Sequence, residues 1–490
     1  MSNSKDELGA DGMRNRDLPE SWILSTIGEV CEPPQYGYTT KASLTGDLRL
    51  LRTTDITKGA INWEAVPYCA DNPDNPEKYL LQHEDIVISR AGSVGVSCLL
   101  SYPEKSVFAS YLIRFRPSIN KKFFRYFLDS PFYWNEITEN KLGIAVPNVN
   151  ASKLKEIPFP LPPEHEQKSI VAKIEELFSE LDSGVASLKT AQQQLKIYRQ
   201  SLLKHAFEGK LTEQWRKDNA DKLETPEQLL ARIQTEREAR YQQQLDEWKQ
   251  AVKDWEAKGK EGKKPSKPRE FKEIELSDHV FNEGWLAVNL GGISNVTGGL
   301  TKNQKRNSYG IQIPYLRVAN VYANELRLDE IKTIGVTVQE RETIFLEKND
   351  LLVVEGNGSI EQIGRVALWN GAIQECGHQN HLIRARLHNA SYAKLILYFL
   401  LSPVGRDFIV NEASSTSGLH TLSLTKVSNI LVPVITQKEA DKLVIILEEK
   451  LSIIEQNEKE IESALAKAEL LRQSILKKAF SGKLTLIRES

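Results

Sequence analysis

Two stretches of this 490-residue sequence gather cations, hydroxyls and amides on what must be irregular backbone. In Pro34-Gln-Tyr-Gly-Tyr-Thr-Thr-Lys41, the side chains of Tyr36, Tyr38, Thr39 and Lys41 surround a glycine. In Gly298-Gly-Leu-Thr-Lys-Asn-Gln-Lys-Arg306, a glycine pair precedes Thr301, Lys302, Asn303, Lys305 and Arg306. Glycine and proline punctuate a chain into turns, so both sets fall on loops. Such groups suit hydrogen bonding to phosphates and base edges. Arg52, Arg90 and Ser93 extend the first set, and Arg317, Asn357 and Ser359 the second. The bland alternative for each residue is an ordinary exposed polar loop. Arg114 and Arg384, in matching apolar strands, read as structural.

No pattern for bond-making chemistry accompanies them. A base-modifying methyltransferase needs Asp, Asn or Ser before Pro-Pro-aromatic to hold a flipped base. Glu32-Pro-Pro-Gln35 and Leu161-Pro-Pro-Glu164 have the wrong neighbours. Glu208-Gly-Lys-Leu-Thr212 lacks the first glycine of a phosphate-binding loop, and Leu211 stands where Ser or Thr is required. Gly356-Asn-Gly358 is too short for a dinucleotide fingerprint, and Asp74 with Glu77 lacks nuclease spacing. The four cysteines, Cys31, Cys69, Cys98 and Cys376, form no CxxC pair and read as buried free thiols. No catalytic residue and no metal ligand is expected.

Lys and Arg total 64 against 66 Asp and Glu, a net charge of −2, which argues against non-specific coating of nucleic acid. A local basic footprint stays compatible with that balance. No apolar run approaches the ~20 residues of a membrane span, and Met1–Asp17 lacks the apolar region of a signal peptide. A cytoplasmic protein with no membrane partner is expected.

The elements that must position the loops are written twice. Arg199-Gln-Ser-Leu-Leu-Lys-His-Ala-Phe-Glu-Gly-Lys-Leu-Thr212 returns 273 residues later as Arg472-Gln-Ser-Ile-Leu-Lys-Lys-Ala-Phe-Ser-Gly-Lys-Leu-Thr485, differing only at Leu202/Ile475, His205/Lys478 and Glu208/Ser481. The same offset superimposes two heptad seams. One is Ile170, Ile174, Leu177, Leu181, Gly184, Leu188, Ala191, Leu195, Tyr198 and Leu202. The other is Leu443, Leu447, Lys450, Ile454, Asn457, Ile461, Ala464, Ala468, Leu471 and Ile475. A sustained 3.5-residue period indicates a coiled coil. Each helix follows a Pro-rich approach, Pro158–Pro163 or Leu431–Val434, and ends at Gly209 or Gly482, where a left-handed residue belongs. Glu164 to Phe207 makes roughly 65 Å of helix at 1.5 Å per residue. Two copies in one chain pair most simply antiparallel about a pseudo-two-fold axis. Val171, Phe178, Ile197, Leu203 and Phe207 lie off the seam, open to partner helices or to the chain's own domains.

Before each helix lies a region rich in short β-like runs and Gly, Asn and Pro turns. The two regions share landmarks: Trp22 and Trp285, Gly28 and Gly291, Leu51-Arg52 and Leu316-Arg317. Asp85-Ile-Val-Ile-Ser89 parallels Asp350-Leu-Leu-Val-Val354, and Tyr126-Phe-Leu128 parallels Tyr398-Phe-Leu400. Their loops diverge, and loops on a rigid scaffold carry recognition. Between the halves, Thr225 to Trp255 reads as a charged helix with a start signal at Thr225-Pro-Glu. It gives way to a lysine-rich linker, Lys258 to Pro268.

This duplicated pattern resembles the specificity subunit of type I restriction–modification systems over nearly the whole chain. The resemblance rests on Leu161-Pro-Pro-Glu-His-Glu-Gln167 and on the terminal motif present in both copies; the second copy departs at Thr436-Gln-Lys-Glu-Ala440, where the Glu-Gln pair is lost. It implies an α+β chain in which two β-rich target-recognition domains are separated by a long antiparallel two-helix coiled coil, a pseudo-two-fold internal repeat. The corresponding segments are a disordered N-terminus (1–17), a first recognition domain (18–160) and a central conserved helix (161–212). A charged helical insert with its linker (213–277), a second recognition domain (278–433) and a C-terminal conserved helix (434–485) follow. It implies a non-catalytic subunit that reads an asymmetric, bipartite target in double-stranded DNA, with the helices setting the spacer. It further implies two adenine-N6 methyltransferase subunits docked on the helices and motor–endonuclease subunits joining them. No cofactor is expected on this chain; S-adenosylmethionine and ATP belong to the partners. The alternatives are a coiled-coil scaffold and a DNA-binding adaptor of another phage-defence complex.

Overall fold

The computed structural model describes residues 18–57, 61–101, 103–141, 148–257, 259–260, 264–268, 274, 276–416 and 419–484. The expected disordered N-terminus, 1–17, lies outside these, as do parts of the lysine-rich linker. The chain gathers into two compact units: one holds the residues up to Ala191 and those from Glu460 onward, the other Gln192–Lys459. Both dividing points fall inside the long helices, Glu164–Phe207 and Gln437–Phe480. Each unit therefore owns the first part of one helix and the last part of the other.

In the first unit Ile23–Thr26 pairs antiparallel with Pro158–Leu161, the strand that leads into the helix. One four-stranded sheet runs Gln35–Tyr36, Leu112–Phe115, Ile86–Ser89, Ser97–Leu99. A second runs Ala42–Ser43, Tyr68–Cys69, Arg49–Leu51, Ser106–Phe108. In the second unit Leu286–Asn289 pairs with Leu431–Val434 in the same way. Its four-stranded sheet runs Ser294–Thr297, Leu382–Leu387, Leu351–Val354, Val366–Leu368, beside a three-stranded sheet of Lys332–Val336, Ile311–Leu316 and Gly377–His378.

The central strands explain why Ile86–Ser89 and Leu351–Val354 are apolar without alternation. Successive side chains of a strand point to opposite faces. Ile86 and Ile88 enter the core shared with the helices, while Val87 enters a separate core with Leu51 and Phe108. Leu351 and Val353 likewise face the helices, and Leu352 and Val354 pack with Leu316 and Trp369. Each of these central strands is buried on both faces.

The terminal motif closes both helix-side cores. Leu202, Leu203, Ala206 and Phe207, from the end of the first helix, are buried in the second unit beside Leu443, Leu447 and Ile454. Ile475, Leu476, Ala479 and Phe480, from the end of the second helix, are buried in the first unit beside Ile170, Ile174 and Phe178. The Phe207 ring lies 5.2 Å from Phe399; the Phe480 ring lies 5.0 Å from Phe123 and 5.5 Å from Phe127. Gly209 and Gly482 follow at φ +74° and +71°, the left-handed C′ geometry. A Cβ would sit 1.6 Å from Asn282 Nδ2 at the first and 2.2 Å from Pro19 Cγ at the second, so glycine is required twice over.

Within each unit the helix segments run antiparallel. Arg199 reaches Glu458 at 2.8 Å and Glu455 at 3.9 Å, while Thr212 Oγ1 donates to Glu439 at 2.7 Å. Arg472 pairs with Asp182, which is the Arg199–Glu455 pair shifted by 273 in both members. The seam itself differs from the heptad reading. Gly184, Tyr198, Lys450, Asn457 and Leu471 are exposed, and the residues one step on, Val185, Arg199, Leu451, Glu458 and Arg472, are buried or half-buried. A helix of 3.6 residues per turn drifts against a strict 3.5 repeat. The second helix absorbs the drift with two four-residue steps, Leu443 to Leu447 to Leu451, and charged pairs occupy the shifted positions. Lys450 and Asn457 are thus surface residues and not polar intrusions.

Phe207→Ala removes a fully buried ring and costs about 3–5 kcal/mol. Urea unfolding followed by hydrogen exchange at Ala393–Leu401, the helix that holds Phe399, measures the loss.

Candidate nucleic-acid interface

The two polar loops are fastened by one device. At Gly37 the chain passes so close to its neighbour that a Cβ would lie 2.2 Å from the Ala109 carbonyl oxygen, and the next amide, of Tyr38, donates to the Phe108 carbonyl at 2.7 Å. At Gly299 a Cβ would lie 2.2 Å from the His378 carbonyl oxygen, and the next amide, of Leu300, donates to that carbonyl at 2.8 Å. Parallel bridges Tyr38–Ala109 and Leu300–Gln379 complete the match. Glycine is needed where backbones approach this closely. The loops diverge only beyond these anchors.

In the first unit Thr39, Lys41 and Ser93 are exposed, and Tyr38 is half-buried at 5.4 Å from the Tyr79 ring. Arg90 lies over the Tyr36 ring at 5.1 Å, and the Tyr36 hydroxyl accepts from the Ala151 amide, so two of the sequence candidates come together. Arg52 is committed to Asp55, with Nε 3.0 Å and Nη2 2.9 Å from its two carboxylate oxygens. In the second unit Thr301, Lys302, Asn303 and Lys305 are exposed, and the Asn303 side chain caps the turn at Gln304–Ser308. Arg317 donates to the Glu330 carbonyl at 3.1 Å. Ser359 is exposed. Gly356–Asn357 forms a short strand against His420 and Thr421, and the Asn357 side chain lies outside the described residues.

Arg306 corrects the sequence reading. It is buried, pairs with Glu340 at 2.7 Å, and donates to the carbonyls of Thr301 and Gly335 at 2.7 and 2.9 Å. Its hydrogen bond to Glu340 is the main reason its pKa rises. It holds the loop's shape and presents no charge to solvent. Arg114 and Arg384 are buried, as their apolar strands suggested: Arg114 donates to the Leu80 carbonyl and Arg384 to the Phe345 carbonyl. Burial pulls Arg384 down to about 10. Their strand neighbours Arg116 and Arg386 grip the buried Asp85 and Asp350.

The off-seam residues also need correction. Val171, Phe178, Leu203 and Phe207 are buried inside the chain's own units, because each sheet stack needs apolar cover from the helix surface. Only Ile197 of the five is open, at 70% exposure, and its equivalent under the 273 offset, Leu470, matches it at 70%. Tyr198 and Leu471, the adjoining equivalent pair, are 49% and 51% exposed. Applying the offset to Ile197 would have found Leu470, whereas Tyr198 and Leu471 were hidden by their place in the strict 3.5-residue seam.

Sequence reading also missed the clamps joining each domain to its helix. Trp22 Nε1 donates to Glu166 at 2.7 Å, and Trp285 Nε1 to Glu439, the equivalent residue, at 3.3 Å. Glu439 additionally holds Arg216 of the insert at 2.7 Å. Gln167 bridges Pro162 and Asn120, a role with no counterpart at Ala440. The insert helix, Pro226–Ala257, buries Leu229 and Ile233 in the second unit's core and aims Arg232 at Tyr392 and Glu224. Cys69 and Cys376 are buried, but Cys31 and Cys98 are only half-buried. Burial pushes the thiols of Cys31 and Cys376 up to about 12. Among the described residues no group of His, Cys, Asp and Glu could hold a metal ion, and no helix is long and apolar enough to cross a membrane.

Two β-rich domains with matching loop anchors and unlike loops, each closed by a repeated helix end, define a duplicated two-part recognition protein. The family model for the type I restriction modification DNA specificity domain matches residues 19–191 and again 282–463, and the chain belongs to this family. It is 27% identical over 486 residues to the EcoKI specificity subunit of Escherichia coli K12, covering 96% of this chain and 90% of that protein. It is 26% identical over 488 residues to the StySPI specificity subunit of Salmonella potsdam, covering 96% and 91%. A chain from a solved structure of type I R-M complex assembly and conformational transition shares the fold, with TM-score 0.62 at 16% identity, covering 95% of this chain and 99% of that one.

His378, whose carbonyl anchors the second loop, is held down to about 4, first by burial and then by Arg384. The unfolded chain takes up a proton below about pH 6.5 that the folded chain refuses until about 4, so stability falls as pH drops through that window. At roughly 1.4 kcal/mol per pH unit, the loss from this residue reaches about 3 kcal/mol. Denaturation midpoints of the second unit between pH 7 and pH 4.5 check it.

Proposed function

We propose that this chain is the DNA-reading subunit of a type I restriction–modification complex and makes or breaks no bonds itself. One observation carries the reading: two domains of one plan hold their loops on identical anchors, yet the loops carry different side chains. A repeat kept for structure alone would have no reason to hold unlike loops on matching anchors. Each loop set reads one half of an asymmetric, two-part target. Lys302 and Lys305 supply phosphate contacts in the second half, and Lys41 with Thr39 and the Arg90–Tyr36 pair serves the first. Phosphate contacts position a protein, and hydroxyls and amides such as Thr301 and Asn303 can reach base edges. The 44-residue helices, each roughly 65 Å long, set the unread spacer.

The curated relatives are named as specificity subunits of type I restriction enzymes, which supports partners that modify and cut DNA. Two adenine-N6 methyltransferase subunits dock on the equivalent apolar pairs Ile197–Tyr198 and Leu470–Leu471, which the chain leaves uncovered. Motor–endonuclease subunits join that assembly, and S-adenosylmethionine and ATP are bound by the partners.

Lys302→Ala with Lys305→Ala flattens the dependence of log affinity on log salt by roughly 0.9 per lost phosphate contact. Binding to operator-length duplexes at several salt concentrations reads this, and an unchanged slope removes the loop from the footprint. Ile197→Lys with Leu470→Lys abolishes co-elution with the cognate methyltransferase and leaves the salt slope alone; retained co-elution rejects the docking sites.

A further inference from the structure

The second unit holds a hollow where the first unit places larger side chains. In the second unit a cavity of about 310 Å³ is lined by Arg199, Leu203, Arg365, Leu400, Arg406 and Leu451, among others. Its counterparts in the first unit can be placed residue by residue. Leu451 corresponds to Phe178 under the 273 offset. Arg406 corresponds to Trp134, each being the fourth residue of the helix that opens Pro403 or Pro131. Arg365 corresponds to Val96, each preceding the strand that starts at Val366 or Ser97. The match is geometric as well: a Cβ on Gly95 would meet Ile137 and Trp134, and one on Gly364 would meet Ile409 and Arg406.

In the first unit these positions are occupied by bulk. Phe178 is buried under Arg472, whose guanidinium stands 4.3 Å from the ring centre, with Tyr126 at its edge at 5.8 Å. In the second unit the smaller Leu451 leaves space, and two apolar side chains have become arginines. Arg199 is neutralised by Glu455 and Glu458. Arg365 and Arg406 make no ion pair among the described residues. Among the described residues Arg406 donates only to the carbonyls of Ile360, Glu361 and Ile363, so Glu361 engages it through backbone and not through its carboxylate. Burial pulls the Arg406 pKa below its ordinary value, with Asp407 opposing. Arg365 lies over the Tyr322 ring at 4.8 Å, and its Nε is buried with no hydrogen-bond partner.

We infer that the second unit carries an oxyanion pocket that the first lacks, taking a carboxylate- or phosphate-bearing group attached to a small apolar body. Guanidinium forks match such oxyanions with paired hydrogen bonds, and the match strengthens where water is excluded. The leucine floor receives the apolar part. The volume stands at the small end of the range for ligand sites, and Gln200, Asn324, Glu361 and Gln362 share the lining with the leucines and the arginines. None of Thr301, Lys302, Asn303, Lys305 or Arg306 lines the pocket, so it is separate from that loop, and it breaks the pseudo-symmetry of the chain.

The test uses the full chain, citrate and inorganic phosphate as probes, and thermal unfolding as the readout. Wild type is expected to gain a saturable rise in Tm at millimolar probe. Arg365→Val with Leu451→Phe, which installs the first unit's residues, is expected to weaken the response at least tenfold. Arg406→Lys keeps the charge but loses the fork, and is expected to weaken it as well. No response in wild type, or an equal response in all three proteins, overturns the pocket. Duplex binding is measured in parallel, so failure here is distinguishable from failure of the DNA-reading assignment. Displacement of the methyltransferase by citrate identifies an acidic partner side chain as the occupant; binding without displacement identifies a free anion, and either result requires the pocket.

Discussion

Two phenylalanines separated by 273 residues carry the architecture. Phe207 fills the core of the second unit, whose β-rich domain follows it in sequence, and Phe480 fills the core of the unit that begins the chain. Full burial of such a side chain stabilises by about 1.5–3 kcal/mol, and the neighbouring Leu, Ala and Leu or Ile of the motif add to it. Other constant residues of the repeat serve the same closure. Arg199 and Arg472 tie the helices, Gly209 and Gly482 turn the chain in space that no side chain could share, and Thr212 locks onto Glu439. The repeated motif is a plug, and each half of the chain supplies the plug of the other. Neither half can change its helix end without altering the opposite domain.

That constraint leaves the loops free to vary. The sheets are pinned on both faces, the loops are fastened at Gly37 and Gly299, and buried pairs such as Arg116–Asp85, Arg386–Asp350 and Arg306–Glu340 hold the frame. Groups committed to the frame are paired and shielded, whereas Lys41, Lys302 and Lys305 remain exposed. A chain of net charge −2 can therefore present local cations on its readers while its helices carry balancing acids. Under the proposed function, these exposed loop residues, and not the paired charges of the scaffold, are what the chain leaves to meet DNA.

Much of this architecture is legible in the amino-acid sequence. The 273-residue offset exposed the duplication, the proline approaches and glycine ends bounded both helices, and the apolar Asp85–Ser89 and Asp350–Val354 runs marked the central strands. What failed did so for definable reasons. A strict 3.5-residue seam put Tyr198, Lys450 and Leu471 inside, because sequence periodicity cannot show where a 3.6-residue helix drifts or where Arg199 and Glu458 take a seam position as a pair. Phe178 and Phe207 looked available to partners because a helix sequence does not reveal that the chain's own sheets cover a second face. Arg306 looked like a DNA contact because its partner, Glu340, is 34 residues away, beyond any local pattern. The Gly37 and Gly299 anchors were within the named loops, but only the close backbone approach shows why glycine stands there.

The crossed plug is tested most directly by a chain that ends at Leu471, with hydrogen exchange followed along its whole length. The account requires that removing residues at the far C-terminus unprotects the amides of Ile86–Ser89 and Lys121–Phe127, hundreds of residues away, while Leu351–Val354 and Ala393–Leu401 keep their protection. Unchanged exchange in the N-terminal domain of the shortened chain would contradict it.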